Sequence, residues 1–124
     1  MEKGYVHVYM GKNWKDLKTA QGMALRACGA GFSVGFYNFG EEIDDIKSLE
    51  SRLPRLRVLT DKQQDISEFD MIILYDCKLV DDDTLQKILA GKPDKTEIVM
   101  CGTNFSKDML AMADLVSGIV TLTL

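Results

Sequence analysis

Short strand-forming runs alternate with helix-patterned segments along the whole chain, and that alternation restricts the fold more than any other feature. Strands separated by helical stretches cannot pair as hairpins. They pair as neighbours in a parallel sheet, with the helices crossing over its faces. The strand-like runs are Tyr5–Met10, Ser33–Phe39, Leu56–Thr60, Met71–Tyr75 and Glu97–Cys101, and Val116–Leu124 is placed to close an edge. Met71–Tyr75 is apolar without interruption, as a strand covered on both faces requires. The sequence therefore predicts a three-layer α/β sandwich built on a mostly parallel sheet of five to six strands.

The helical segments carry their own punctuation. Leu17, Ala20, Ala24, Ala27 and Cys28 recur at helical spacing over Leu17–Cys28, Asp16 is placed to cap the start, and Gly29 and Gly31 follow the end. Glu41–Leu53 lines up Ile43, Ile46, Leu49 and Leu53 and stops before Pro54. Asp81 to Ala90 begins with three carboxylates, as the helix dipole favours, and Gly91 and Pro93 lie beyond it. Ser106–Ala113 reads as a fourth helix, and Asp61–Phe69 as a polar loop or single turn. With 124 residues, no repeat and no linker, the expectation is one domain over 1–124.

Composition excludes several classes. A net charge of −4 argues against nucleic acid or an anionic membrane surface as partner. No apolar stretch approaches the roughly 20 residues of a membrane span, and no signal peptide is expected before Gly4. Cys28, Cys77 and Cys101 are odd in number and set in apolar runs, which suits buried thiols in a reducing cytoplasm.

The candidate chemistry lies at Gly11-Lys12-Asn13-Trp14-Lys15-Asp16-Leu17-Lys18-Thr19, where the first strand turns into the first helix. A phosphate-binding P-loop has this place and shape: glycines let backbone N–H groups curl around phosphate oxygens, and a lysine offsets the charge. Here only Gly11 remains of the glycines. The nucleotide- or anion-binding candidates are Gly11, Lys12, Asn13, Lys15, Lys18 and Thr19. Lys12, Lys15 and Lys18 read either as a cationic rim or as a solvated face. Trp14 is a ligand or partner contact, or packs over the sheet edge. Asp76 ends a central strand on the side where such sheets bind ligands, as a residual polar contact or a cap. His7 reads as a satisfied core histidine, the methionines (Met10, Met23, Met71, Met100, Met109, Met112) as core filling, and Asp81-Asp82-Asp83 as a helix start rather than a metal site.

Several stretches in order resemble the ATP:corrinoid adenosyltransferases of P-loop type, which move an adenosyl group from ATP to a cobalt corrinoid. That family runs Gly-Asn-Gly-Lys-Gly-Lys-Thr-Thr after a strand, then Ala-Leu-Arg-Ala, Gly-x-Gly and Val-Gly. This chain reads Val8-Tyr9-Met10-Gly11, Gly22-Met23-Ala24-Leu25-Arg26-Ala27, and Gly29-Ala30-Gly31-Phe32-Ser33-Val34-Gly35. Asp70-Met71-Ile72-Ile73-Leu74 is similar to the strand carrying the family's Asp-Glu pair. Gly102 and Met109-Leu110-Ala111-Met112-Ala113-Asp114-Leu115-Val116 are similar to its late Gly-Arg and Leu-Ala-Asp-x-Val segments.

The resemblance implies a P-loop NTPase-like fold, ATP with Mg²⁺ and cobalamin as ligands if the activity is kept, and a homodimer. It also exposes departures. Without gaps, Lys15 falls at the family's last loop glycine, Asp16 at its lysine and Leu17 at its Mg²⁺-binding threonine. Tyr75 and Asp76 occupy the acidic pair, Thr103 the late arginine. The stretch from Phe39 to Asp70 looks shorter than the family's, and the chain stops where the family continues.

Unit charges about 4 Å apart interact by roughly 4 kcal/mol at an effective dielectric near 20, so exchanging lysine for aspartate beside a triphosphate costs on the order of 5 kcal/mol, several thousandfold in affinity. Leu17 offers Mg²⁺ no oxygen. The expectation is a degenerate family relative, a binding or assembly module for a small anionic or corrinoid ligand. The alternative is an active adenosyltransferase in which a bulged loop presents Lys18 and Thr19, with Asp76 near Mg²⁺. A flavodoxin-like or receiver-like module shares the sheet order without support from any residue.

Overall fold

A computed structural model describes residues 4–11, 17–38, 43–59, 66–75, 81–102 and 105–119. Six strands form one sheet: β1 (Val6–Gly11), β2 (Val34–Asn38), β3 (Leu56–Leu59), β4 (Met71–Tyr75), β5 (Glu97–Gly102) and β6 (Leu115–Ile119). Between them lie α1 (Leu17–Gly29), α2 (Ile43–Glu50), α3 (Asp82–Ala90) and α4 (Lys107–Ala111). The strand order is β3-β2-β4-β5-β1-β6, and every neighbouring pair is parallel. The expected three-layer α/β sandwich is the observed fold, with the sheet wholly rather than mostly parallel.

The order decides which face each helix covers. The chain moves one way along the sheet from β1 to β2 to β3, then returns through β4 and β5 to β6. Right-handed crossovers put the helices of the two journeys on opposite faces. Ala24 and Ala27 of α1, with Leu49 of α2 and the following Leu53, pack against Phe36, Ile73, Tyr75, Val99 and Cys101. On the other face Leu85, Ile88 and Leu89 of α3 and Met109 of α4 pack against Val8, Tyr37, Ile72, Leu74 and Met100. β4 feeds both cores alternately, as its unbroken apolar run requires.

Local chemistry sets the element ends. α1 closes in a Schellman arrangement: Phe32 N–H donates to the Ala27 carbonyl and Gly31 N–H to the Cys28 carbonyl, with Gly31 at φ +92°. Asp81 caps α3 by accepting from Thr84 N–H at 2.8 Å, and Ser106 caps α4 through Met109 N–H at 3.2 Å. α4 is thus shorter than the expected Ser106–Ala113. β6 begins at Leu115, one residue earlier than expected, and 120–124 lie outside the described residues.

Two expectations need correction. The segment before β4 is not only polar: Ile66 and Phe69 are buried and join the α3/α4 core. Phe69 fits there because Gly35 in β2 leaves space beneath it. Met112 is exposed rather than core filling, whereas Met100 and Met109 are fully buried.

Candidate functional site

In an all-parallel sheet every strand ends at the same edge, and ligands bind outside that edge. Here the edge carries Gly11 at the end of β1, Tyr75 at the end of β4 and Gly102 at the end of β5, with Met10 in register with Gly102. α1 starts at this edge, so its first N–H groups and positive dipole end face the same rim. Its first turn contains no acidic residue, and Lys18 and Thr19 lie in it. Among the candidates, Gly11, Lys18 and Thr19 are brought to one rim by the β1–α1 connection. Lys12, Asn13, Trp14, Lys15 and Asp76 lie outside the described residues, as do Asp16, Cys77 and Thr103.

Tyr75 is the informative described residue at this edge. It stands where the resemblance places the first carboxylate of an acidic pair, and its side chain is buried in the α1/α2 core. Its ring lies 6.1 Å from that of Phe36, tilted by 33°. A ring packed this way provides apolar contact at this position, and Asp76, the remaining carboxylate of the pair, lies outside the described residues. Of the positions that the resemblance marks for Mg²⁺, the described ones, Leu17 and Tyr75, are not carboxylates. Among the described residues no group of three His, Cys, Asp or Glu side chains is placed to hold a metal.

The opposite edge is tied together by side chains. Asp70 accepts from Ser33 N–H at 2.9 Å and from its hydroxyl at 3.2 Å, while Ser33 Oγ accepts from Asp70 N–H at 3.1 Å. Thr96 is buried and donates to the Phe69 carbonyl at 2.8 Å. Asp114 accepts from Val6 N–H at 2.8 Å, and its own N–H donates to the Val6 carbonyl. These contacts fix the starts of β2, β4, β5, β1 and β6 relative to one another. Asp70 and Asp114, both within stretches that carry the resemblance, are bonded within the sheet.

A groove of about 290 Å³ opens on the α1/α2 face, towards the starts of β4 and β5. Its walls include His7, Tyr9, Met23, Arg26, Glu97 and Val99. His7 is not in the core. It is half-buried at the groove, bonded through Nε2 to Ser117 Oγ at 2.9 Å and stacked on Tyr9 with centroids 4.1 Å apart. Burial pushes the Tyr9 phenol above its ordinary range; Cys101 and Glu97 add to this and Arg26 opposes it. Cys101 is buried beneath, its thiol pushed up to about 12 by loss of solvent, so it is no nucleophile at neutral pH. The sequence signal for this groove was the alternation His7-Val8-Tyr9, which puts two ring-bearing side chains on one face of β1.

The fold is a parallel α/β arrangement whose C-terminal strand edge carries the ends of β1, β4 and β5. The family model of the ATP:corrinoid adenosyltransferases BtuR/CobO/CobP matches residues 44–122, more than half of the chain. The chain belongs to that family. The match spans α2 to β6 except for Ile43 and leaves residues 1–43 outside it. No curated protein matches the chain. Among the described residues no helix is long and apolar enough to cross a membrane.

Proposed function

We propose that this is a degenerate corrinoid-adenosyltransferase-like domain, keeping the family scaffold as a binding or assembly module and no longer binding ATP in the usual way. The reading places it in the cytoplasm, with a small anionic or corrinoid ligand at the C-terminal edge of the sheet. The observation that carries it is Tyr75, buried against Phe36 where a Mg²⁺-binding carboxylate is needed. Asp16 and Leu17 in place of a lysine and a threonine support it independently. A helix already under way at Leu17 also keeps Gly22–Ala27 in the ungapped register.

One observation favours the alternative, an active adenosyltransferase. Lys18 and Thr19 lie in the first turn of α1 at the correct rim, where an ammonium and a hydroxyl would serve a triphosphate. Calorimetric titration separates the two. The degenerate reading predicts no saturable heat with MgATP into the millimolar range, with or without Lys18. Micromolar binding that is abolished in Lys18→Ala would overturn it. Saturable binding of hydroxocobalamin without ATP is the result expected of a retained corrinoid pocket.

A further inference from the structure

We propose that the groove between α1 and the β1–β5 face of the sheet is a small-molecule site, separate from the C-terminal rim, for a flat aromatic ligand carrying both an ammonium and a carboxylate group. The groove opens towards the strand starts, at the other end of the sheet from Gly11, Lys18 and Thr19. Its volume of about 290 Å³ is at the small end of ligand cavities. That is room for one fused ring system with a short side chain.

The walls select a ring. His7 and Tyr9 are stacked with centroids 4.1 Å apart and planes 27° apart, and Ser117 Oγ holds the His7 ring through Nε2. Both rings line the groove, with Met23 of α1 and Val99 of β5. A third ring extends such a platform by offset or edge contact, and the methionine thioether and valine methyls cover its remaining apolar surface. The platform is already fixed, so little side-chain freedom is lost when a ligand stacks on it.

The charges select what the ring carries. Arg26 lines the groove from the helix and half-buried Glu97 from the sheet, and neither is in an ion pair among the described residues. Opposite charges that share a groove without pairing match a ligand that carries both signs. The Tyr9 phenol lies in the field of both: burial raises its pKa most, Glu97 adds to this and Arg26 opposes it. Its hydroxyl makes no hydrogen bond among the described residues, so it is free to donate to a carboxylate beside Arg26. The remaining charge, Asp70, is taken up by Ser33. The ligand's ammonium therefore meets Glu97, and its carboxylate meets Arg26 and Tyr9. A triphosphate does not suit this groove, because two carboxylates repel it and one guanidinium cannot offset its charge.

The test is calorimetric titration of the full chain with L-tryptophan, tryptamine, 3-indolepropionate and L-leucine, which in turn keep all three groups or drop the carboxylate, the ammonium or the ring. L-Tryptophan should bind saturably with a Kd below about 1 mM, as a ligand of this size allows. The other three should bind at least about tenfold more weakly. Glu97→Gln should weaken L-tryptophan about tenfold and should not weaken 3-indolepropionate; Arg26→Gln should weaken it as much and should not weaken tryptamine. Both variants should keep the parent's circular dichroism, since both side chains reach solvent. Added MgATP should leave the affinity unchanged. No saturable binding of L-tryptophan up to about 10 mM overturns the proposal. So do equal affinities for all four probes, either variant weakening every probe alike, or competition by MgATP. Failure here leaves the reading of the C-terminal rim untouched, because the two sites share no residue.

Discussion

Gly35 offers a sharp test of the sheet register. A Cβ built there would sit 2.7 Å from Leu59 Cδ1, 2.8 Å from Ile72 Cδ1 and 3.3 Å from Phe69 Cδ2. All three neighbours are buried in one core, so none can swing into solvent. Adding one methyl to such a core costs about 1–3 kcal/mol. For a domain of this size, 2 kcal/mol lowers the melting temperature by roughly 6–10 °C. Ile72→Val removes the δ-methyl that Gly35→Ala would strike, and alone costs about 1 kcal/mol. If the register is correct, the two changes are not additive: the double variant should be at least about 1 kcal/mol more stable than the sum of the singles predicts. Urea unfolding of the four proteins measures this cycle. Strict additivity, or a Gly35→Ala variant as stable as the parent, would refute the packing of Phe69 and Ile72 against β2.

Three further outcomes follow from the geometry. Asp114→Ala removes the acceptor of the Val6 N–H and should cost about 1–2 kcal/mol, with Asp114→Asn costing less; chemical denaturation gives both values. Gly4→Ala should destabilise by about 2 kcal/mol or more, read in the same way, because the added Cβ meets the Thr96 carbonyl while Gly4 N–H is held by Asp94. Cys101 should resist alkylation at pH 8, where a thiol of pKa about 12 is about one part in ten thousand thiolate. Because its folded pKa is raised from 9.0, its contribution to stability is intact below about pH 9 and is lost as pH rises towards 12, by about 4 kcal/mol in total. Thermal melts of the parent and Cys101→Ala between pH 8 and 11 should therefore converge or cross.

Most of the fold was legible because its periodicities are local. The apolar run of β4, the caps Asp81 and Ser106, and the glycines after α1 each report their own conformation without tertiary context. Ile66 and Phe69 were missed because an isolated pair of apolar residues has no period; only Gly35, distant in sequence, makes room for Phe69. Met112 was misassigned for the complementary reason, since helical spacing cannot reveal that the last turn of α4 looks outwards. His7 was placed in the core because a strand between two others is normally covered, and here the groove opens beside it. The placement of Gly11, Lys18 and Thr19 at the C-terminal rim of the sheet followed directly from the strand–turn–helix pattern. The structural use of Asp70 and Asp114 did not, because a carboxylate bonded to a distant backbone N–H looks the same in sequence as one that binds a ligand.

Repairing the loop tests the central claim most directly. Lys15→Gly, Asp16→Lys and Leu17→Thr together would restore the glycine, ammonium and hydroxyl that a triphosphate needs. Equilibrium binding of MgATP should then be undetectable for the parent into the millimolar range and saturable for the repaired chain, a difference of several thousandfold. Equal, micromolar binding by both proteins would contradict the account, because the parent would then hold the nucleotide without the charge it lacks.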